Sequence, residues 1–214
     1  MNVAINEIFY SIQGESTQAG RPCTFVRLMG CPLRCSYCDT EYAFFEGKKM
    51  DFDQILQEVN KYPTKLVEIT GGEPMAQPNC VPLMQMLCDE GFELMLETSG
   101  AIDLGDVPSK VKIIMDIKTP SSGEHEKMKW ENFSHLKPGT DEVKCVVGSK
   151  EDFDFCSKVI RENKIEDKFT LLVSPVFENV TNLQLAEWVM GSSLPWRMQL
   201  QMHKYIWEPS ARGV

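Results

Sequence analysis

The sequence holds no apolar run near the roughly 20 residues that cross a bilayer, so no membrane-spanning helix and no membrane partner are expected. It has no low-complexity tract and no evident linker, which argues against tethered domains. Basic residues are in deficit: 22 Lys and Arg face 31 Asp and Glu, a formal charge of −9. A polyanion would meet a repulsive field at such a surface, so direct nucleic-acid binding is not expected. The opening residues, Met1 to Glu7, supply neither the basic segment nor the long apolar segment of a secretory signal, and a cytoplasmic location is the expectation. What remains is an ordinary globular composition, 43% hydrophobic and 25% charged over 214 residues. That is enough for one well-buried core and one domain over 1–214.

Eight cysteines then need a reason, because structural disulfides are rare in a reducing compartment. Five are scattered. Cys80, Cys88, Cys145 and Cys156 fall on apolar faces or strands, and Cys23 precedes a strand, so all five read as small buried hydrophobes. The other three, Cys31, Cys35 and Cys38, form C-x3-C-x2-C within eight residues, directly after a β-type run. Thiolates this close wrap one loop around a soft metal centre. A closed zinc site wants four ligands, and no His lies in the cluster, so zinc requires a remote fourth ligand such as Cys23 or a His. An iron–sulfur cluster held by three cysteines keeps one iron open.

Short β-type runs alternate with helical patterns along the chain. Strands are expected at 5–10, 24–29, 65–70, 93–97, 111–117, 143–147, 169–173 and 198–202. Helices are expected after Asp51, over 81–89 with Gly91 as a stop, over about 151–163 with Phe155, Cys156, Val159 and Ile160 inward, and over 183–190. The connections 98–110 and 119–141 are poor in helical pattern, and His125 and His135 in the second read as solvated. Strand–helix alternation implies a parallel sheet. About six parallel strands with three to four main helices fit an α/β, abridged and open (βα) barrel, because eight units do not fit in 214 residues.

C-x3-C-x2-C after the first barrel strand resembles the radical S-adenosylmethionine superfamily, and Tyr37 before the last Cys matches its pattern. Thr70-Gly71-Gly72-Glu73-Pro74 at the next strand end strengthens the likeness. Further motifs narrow it: Glu7 to Ser16, Gly20-Arg21-Pro22, Phe25-Val26-Arg27, Cys38-Asp39-Thr40, Glu97-Thr98-Ser99-Gly100 and Gln201-Met202-His203-Lys204-Tyr205. Together they resemble the 7-carboxy-7-deazaguanine synthase family, from about residue 3 to the C-terminus.

The resemblance implies a radical lyase of the queuosine and deazapurine pathway. Such an enzyme converts 6-carboxy-5,6,7,8-tetrahydropterin to 7-carboxy-7-deazaguanine and ammonia, by hydrogen abstraction and ring contraction. It implies a 4Fe–4S cluster on Cys31, Cys35 and Cys38, S-adenosylmethionine, and magnesium at Thr40. Cofactor contacts are implied for Tyr37, Cys38, Asp39, Gly72, Ser99, Asp116, Ile117, Lys118, Ser174, Pro175, Val176 and Phe177. The pterin would meet Ile12, Gln13 and Gly14 through backbone groups, then Glu15, Arg27, Thr70 and His203, and the single core domain would carry a short N-terminal substrate-binding extension. A flavodoxin- or ferredoxin-type electron donor and a homodimer are also implied. Two departures stand out: Ser16 occupies a position often held by Gly, and the chain continues past Pro209, where some relatives end. A glycyl-radical-enzyme activating enzyme and a non-catalytic zinc-binding module are the competing readings. Gln13, Glu15 and Arg27, suited to a small polar ring, argue against the activating enzyme.

Overall fold

The computed structural model describes residues 1–214. In chain order the main elements are β1 (Asn2–Ile12), β2 (Pro22–Leu28), β3 (Lys48–Asp51), α1 (Phe52–Val59), β4 (Leu66–Gly71), α2 (Cys80–Asp89) and β5 (Glu93–Thr98). Then follow β6 (Lys112–Ile117), β7 (Glu142–Val147), α3 (Lys150–Asn163), β8 (Thr170–Pro175), α4 (Asn182–Met190), β9 (Trp196–Met198) and a single-turn α5 (His203–Ile206). All nine strands share one sheet, in the order β3-β1-β2-β4-β5-β6-β7-β8-β9. From β2 to β9 every neighbour is parallel, while β1 runs antiparallel to both β2 and β3. This is the abridged α/β barrel expected, with an antiparallel β1–β3 margin.

The helices form where local chemistry starts them. Asp51 accepts from the Gln54 amide while the Gln54 side chain reaches back to the Asp51 amide, a reciprocal cap on α1. Ser149 caps α3 in the same manner, without the return bond. The apolar helix faces cover one face of the sheet, burying Val26, Leu28, Val67, Ile69, Leu94, Leu96, Ile113, Met115, Val143, Cys145, Leu171 and Val173 in the largest core. The connections β5–β6 and β6–β7 carry no α-helix, only short 3-10 turns in the second, as their composition implied.

Some details differ from the sequence expectation. The last strand is 196–198, not 198–202. Trp196 fills the core beside Phe153, and the chain then leaves the sheet towards α5. Strand β3 was not anticipated, because Lys48-Lys49-Met50-Asp51 carries only one buried apolar residue. On α3 it is Phe153 that is deeply buried, whereas Phe155 is half-buried against His125, so His125 packs on an aromatic ring instead of standing free in solvent. His135 is exposed. All five scattered cysteines are buried thiols, as expected.

Candidate active site

Strand alternation builds the other face of the sheet in tiers. At the N-terminal end of the strands, Cys23, Phe25, Leu66, Met95 and Ile114 form a small apolar plug, with Phe9 against it. Two residues further along the same strands stand Arg27, Glu68, Glu97 and Asp116, joined by Lys144 from β7. Two further still come Thr70, Ser99, Lys118 and Val146. A cavity of about 290 Å³ opens above the plug, and all these polar groups line it. It lies at the C-terminal ends of the parallel strands, where barrel folds place their chemistry.

The cysteine loop forms one wall. Cys31, Cys35 and Cys38 are free, half-buried thiols facing the same cavity. Burial pushes the Cys31 and Cys35 thiols up, only partly opposed by the Leu33 amide at Cys31 and by the Lys118 ammonium at Cys35. Lys118 itself is held charged: burial opposes its proton, but Asp116 at 2.5 Å more than offsets this. Of the remote fourth ligands a zinc site could draw on, Cys23 sits in the apolar plug outside the cavity wall, whereas His203 lines the cavity. No three His, Cys, Asp or Glu side chains converge at the spacing of a single metal ion. Three soft thiols around open space suit a polynuclear cluster with one free corner better than a closed mononuclear site. The Gly71–Gly72 turn approaches this loop so closely that a Cβ on Gly72 would overlap the Gly30 carbonyl and crowd the Cys31 Cβ. In the lining of the same cavity, the Oδ1 atom of Asp116 is buried with no protein partner, an acceptor suited to a bound cofactor.

Behind the loop, Glu73 is fully buried and anchors the neighbouring strand end. It accepts from the Ser99 amide at 2.7 Å, the Thr98 hydroxyl at 2.9 Å and the Met75 amide at 3.0 Å. Tyr37 turns inward, its hydroxyl at 3.2 Å from both the Thr119 hydroxyl and the Val146 carbonyl. Burial first, then the Asp116 charge, keep that phenol protonated far above its ordinary range. The Thr40 hydroxyl has the Cys38 sulfur as its one hydrogen-bonding neighbour, at 3.7 Å, leaving that oxygen available.

The opposite wall is a charge network. Lys144 lies between Glu15, at 2.6 Å, and Glu97, with which it also forms an ion pair. Gln201 donates to Glu15 at 2.9 Å. Burial opposes the Glu15 charge, but Lys144 wins and takes this carboxyl down to about 2. The Gln13 amide nitrogen donates to Glu68 while its oxygen accepts the Glu15 amide at 3.0 Å, so the Gln13 side chain is fully engaged by protein. Arg27 is anchored by its Nε to Glu7 at 2.9 Å, and Tyr42 donates to the same Glu7 oxygen at 3.0 Å. The two terminal guanidinium nitrogens have no protein partner, leaving a fork for a carboxylate. His203 is held neutral mainly by burial, with Glu15 resisting.

Of the residues singled out from sequence, Ile12, Gln13, Gly14, Glu15, Arg27, Cys31, Cys35, Tyr37, Cys38, Asp39, Thr40, Thr70, Gly72, Ser99, Asp116, Lys118, Val176, Phe177 and His203 share this one cavity. Three do not line it. Ile117 points into the helix-side core, Ser174 is fully buried, and Pro175 faces a separate, smaller cavity with Thr181 and Tyr205. Residues Pro209–Val214 also contribute to the wall, with Arg212 stacked 3.8 Å above the Tyr42 ring and paired to Glu46. Sequence reasoning gave no role to Glu68, Glu97, Lys144, Glu7 or Tyr42. The available signal was a charge at an inward register position inside KLVEIT, ELMLET and EVKCVV, strands otherwise apolar.

An open parallel barrel with three loop thiols, a Gly-Gly turn and a polar cavity defines a radical S-adenosylmethionine enzyme. The family model "Radical SAM superfamily" matches residues 26–121. The 7-carboxy-7-deazaguanine synthase of Chlorobaculum tepidum is 45% identical, across 98% of this chain and 96% of its own length. That of Koribacter versatilis is 42% identical, across 98% and 99%. The crystal structure of QueE from Escherichia coli superposes with a TM-score of 0.78, covering 94% of each chain at 23% identity. The chain belongs to the 7-carboxy-7-deazaguanine synthase family.

Proposed function

We propose that this enzyme converts 6-carboxy-5,6,7,8-tetrahydropterin to 7-carboxy-7-deazaguanine with release of ammonia. The family assignment fits one observation above all: the cysteine loop and the polar tier of Arg27, Glu15, Glu97 and Lys144 line the same cavity. Cys31, Cys35 and Cys38 would hold the 4Fe–4S cluster. Gly72, Ser99 and Asp116, with the backbone of Tyr37 to Asp39, would receive S-adenosylmethionine. When bound, these groups supply the one-electron chemistry that starts a radical reaction.

The chain's own residues then do the positioning. The free fork of Arg27 would take the substrate carboxylate, pre-aimed by Glu7. Thr40 would share that carboxylate with a magnesium ion, a hard cation suited to oxygen donors that keeps several waters. The pterin edge would lie along the backbone of 12–14, with Glu15 and His203 beside it and Thr70 opposite. Residues 209–214 would exclude water. A homodimer, a flavodoxin- or ferredoxin-type donor and a cytoplasmic setting complete the proposal. That no helix is long and apolar enough to cross a membrane is in keeping with it.

The test begins with anaerobic purification and metal analysis. Iron and sulfide, without stoichiometric zinc, are expected. Incubation with S-adenosylmethionine, dithionite, magnesium and the carboxypterin should yield the deazaguanine acid and ammonia. A colourless zinc protein, or a protein that cleaves S-adenosylmethionine without forming the acid, would sink the proposal.

A further inference from the structure

Three carboxyl groups and one ammonium meet in the middle tier of the barrel. Glu68 is 3% exposed. On the adjacent strand β5, Glu97 stands two positions beyond the register partner of Glu68 and faces the same cavity, which brings the two carboxyl groups within hydrogen-bonding reach. Lys144 contacts Glu97 and Glu15. Glu68 has no cation of its own, only the Gln13 amide. Two carboxylates in contact in a water-poor site do not both ionise. One proton turns the Glu68–Glu97 repulsion into a hydrogen bond, and it belongs on the member without the ammonium, Glu68. The pair lines the cavity, so that proton faces the substrate space. Cys23 on β2 neighbours Glu68, and around Lys144 stand Glu15 on the β1–β2 loop, His203 on α5 and Asp116 on β6, the last paired with Lys118. Burial and the neighbouring Glu97 charge both favour the protonated form of Glu68.

We propose that Glu68 and Glu97, oriented by Lys144, hold one shared proton and serve as the acid–base pair of the ammonia-releasing step. This rests on the carboxypterin reading. In that step the carbon–nitrogen bond of the departing amine breaks and its electron pair stays on nitrogen. Glu68 gives its proton to that nitrogen, which leaves as ammonia. The proton lost as the new five-membered ring becomes aromatic goes to the Glu97 carboxylate. The pair ends with one proton, as it began, and nothing is oxidised or reduced. A shared-proton pair suits an elimination because it donates and accepts in one turnover. Glu68 and Glu97 are catalytic residues here; Lys144 is a positioning residue.

The test compares the reconstituted wild type with E68Q and E97Q, using carboxypterin deuterated at carbon 6. Two quantities are read: deuterium transfer from substrate to S-adenosylmethionine, and ammonia release. In E68Q, transfer should stay within a few-fold of wild type while ammonia release falls roughly 100-fold or more, the usual scale of acid–base catalysis. E97Q should show the same split. Unimpaired ammonia release in E68Q, with an active wild type, would overturn the assignment alone; so would an equal fall in both quantities. An inactive wild type would overturn the parent reading and this assignment with it. A second readout needs no turnover. The infrared difference between wild type and E68Q at neutral pH should contain a protonated-carboxylic-acid carbonyl band, and its absence would overturn the shared proton.

Discussion

Ser16 holds a backbone φ of 62°, in the left-handed region that favours glycine, at the position where the motif resemblance implies Gly. The left-handed region costs a non-glycine residue about 1–2 kcal/mol. Ser16 offsets part of this locally, because its hydroxyl accepts the Gln18 amide at 3.0 Å. The departure from the family pattern is therefore one of backbone strain and not of chemistry. S16A loses that bond and keeps the strain, whereas S16G loses both. S16G should be more stable than S16A by about 1 kcal/mol in urea denaturation.

The charged tier gives opposite signs to two carboxyls within one network. Glu15 sits at about 2 in the fold against 4.5 ordinarily, burial opposing and Lys144 prevailing. Its stabilisation is complete above 4.5 and is lost as pH falls towards 2. Glu68 is raised, by burial first and then by Glu97. Above pH 4.5 the unfolded chain releases that proton and the folded one keeps it, so stability falls as pH rises. Each such group contributes a limiting slope of about 1.4 kcal/mol per pH unit within its window. E15Q should therefore lose stability relative to wild type near neutrality, the deficit shrinking below pH 4.5. E68Q should gain on wild type as pH rises from 4.5. Urea midpoints across pH measure both, and parallel profiles would contradict the assignment.

Elements were legible where their signals were local. The start of α1 was written in Asp51, and the Gln54 half of the cap confirms why. The parallel strands showed as apolar runs because helices cover one face and the plug fills the N-terminal end of the other. What that pattern hid was the difference between the faces. In KLVEIT the apolar majority marks the strand, but the single Glu68 is what reaches the cavity. The short β3 and β9 were missed or shifted because pairing to a neighbour, and not side-chain pattern, makes them strands. The Gly71–Gly72 turn was read from its motif, and the structure supplies the physical demand: contact with the cysteine loop. G72A must push that loop away while leaving the helix-side core untouched. Thermal stability should fall by no more than about 3 kcal/mol, the scale of local overpacking. Iron content after anaerobic reconstitution, or S-adenosylmethionine affinity, should fall at least about tenfold, a change of roughly 1.4 kcal/mol. A G72A protein with full iron and normal cofactor affinity would show that the turn and the loop are not coupled.

At the scale of the whole molecule, the missing barrel units leave the sheet open, with β3 and β9 as its two margins. The sequence exposed the shortfall through its strand count but not what fills it, because the filling pairs residues about 185 positions apart. Gln199 accepts from the Ser16 amide at 3.0 Å and donates to the Ser16 carbonyl at 2.7 Å. The Met202 amide meets the Gly14 carbonyl at 3.3 Å, and Gln201 holds Glu15. Thr17 contacts Glu142, which also binds Lys112 at 2.5 Å, so the same loop is fastened to the far strands. The segment 13–17 is thus the flank closure, and its residues Gln13, Gly14 and Glu15 line the cavity proposed to hold the pterin. Loosening the closure should therefore act on substrate before it acts on cofactor. Q199A leaves both backbone groups of Ser16 without their partner, at a cost of roughly 1–3 kcal/mol. KM for the carboxypterin should rise about tenfold, a loss of roughly 1.4 kcal/mol of binding, while iron content and S-adenosylmethionine affinity stay at wild-type levels. Q199E keeps the acceptor but has no donor for the Ser16 carbonyl, so it should behave like Q199A although its size and shape match glutamine. If Q199E were fully active, the closure would depend on packing alone, and segment 13–17 would hold its place without the Gln199 clamp.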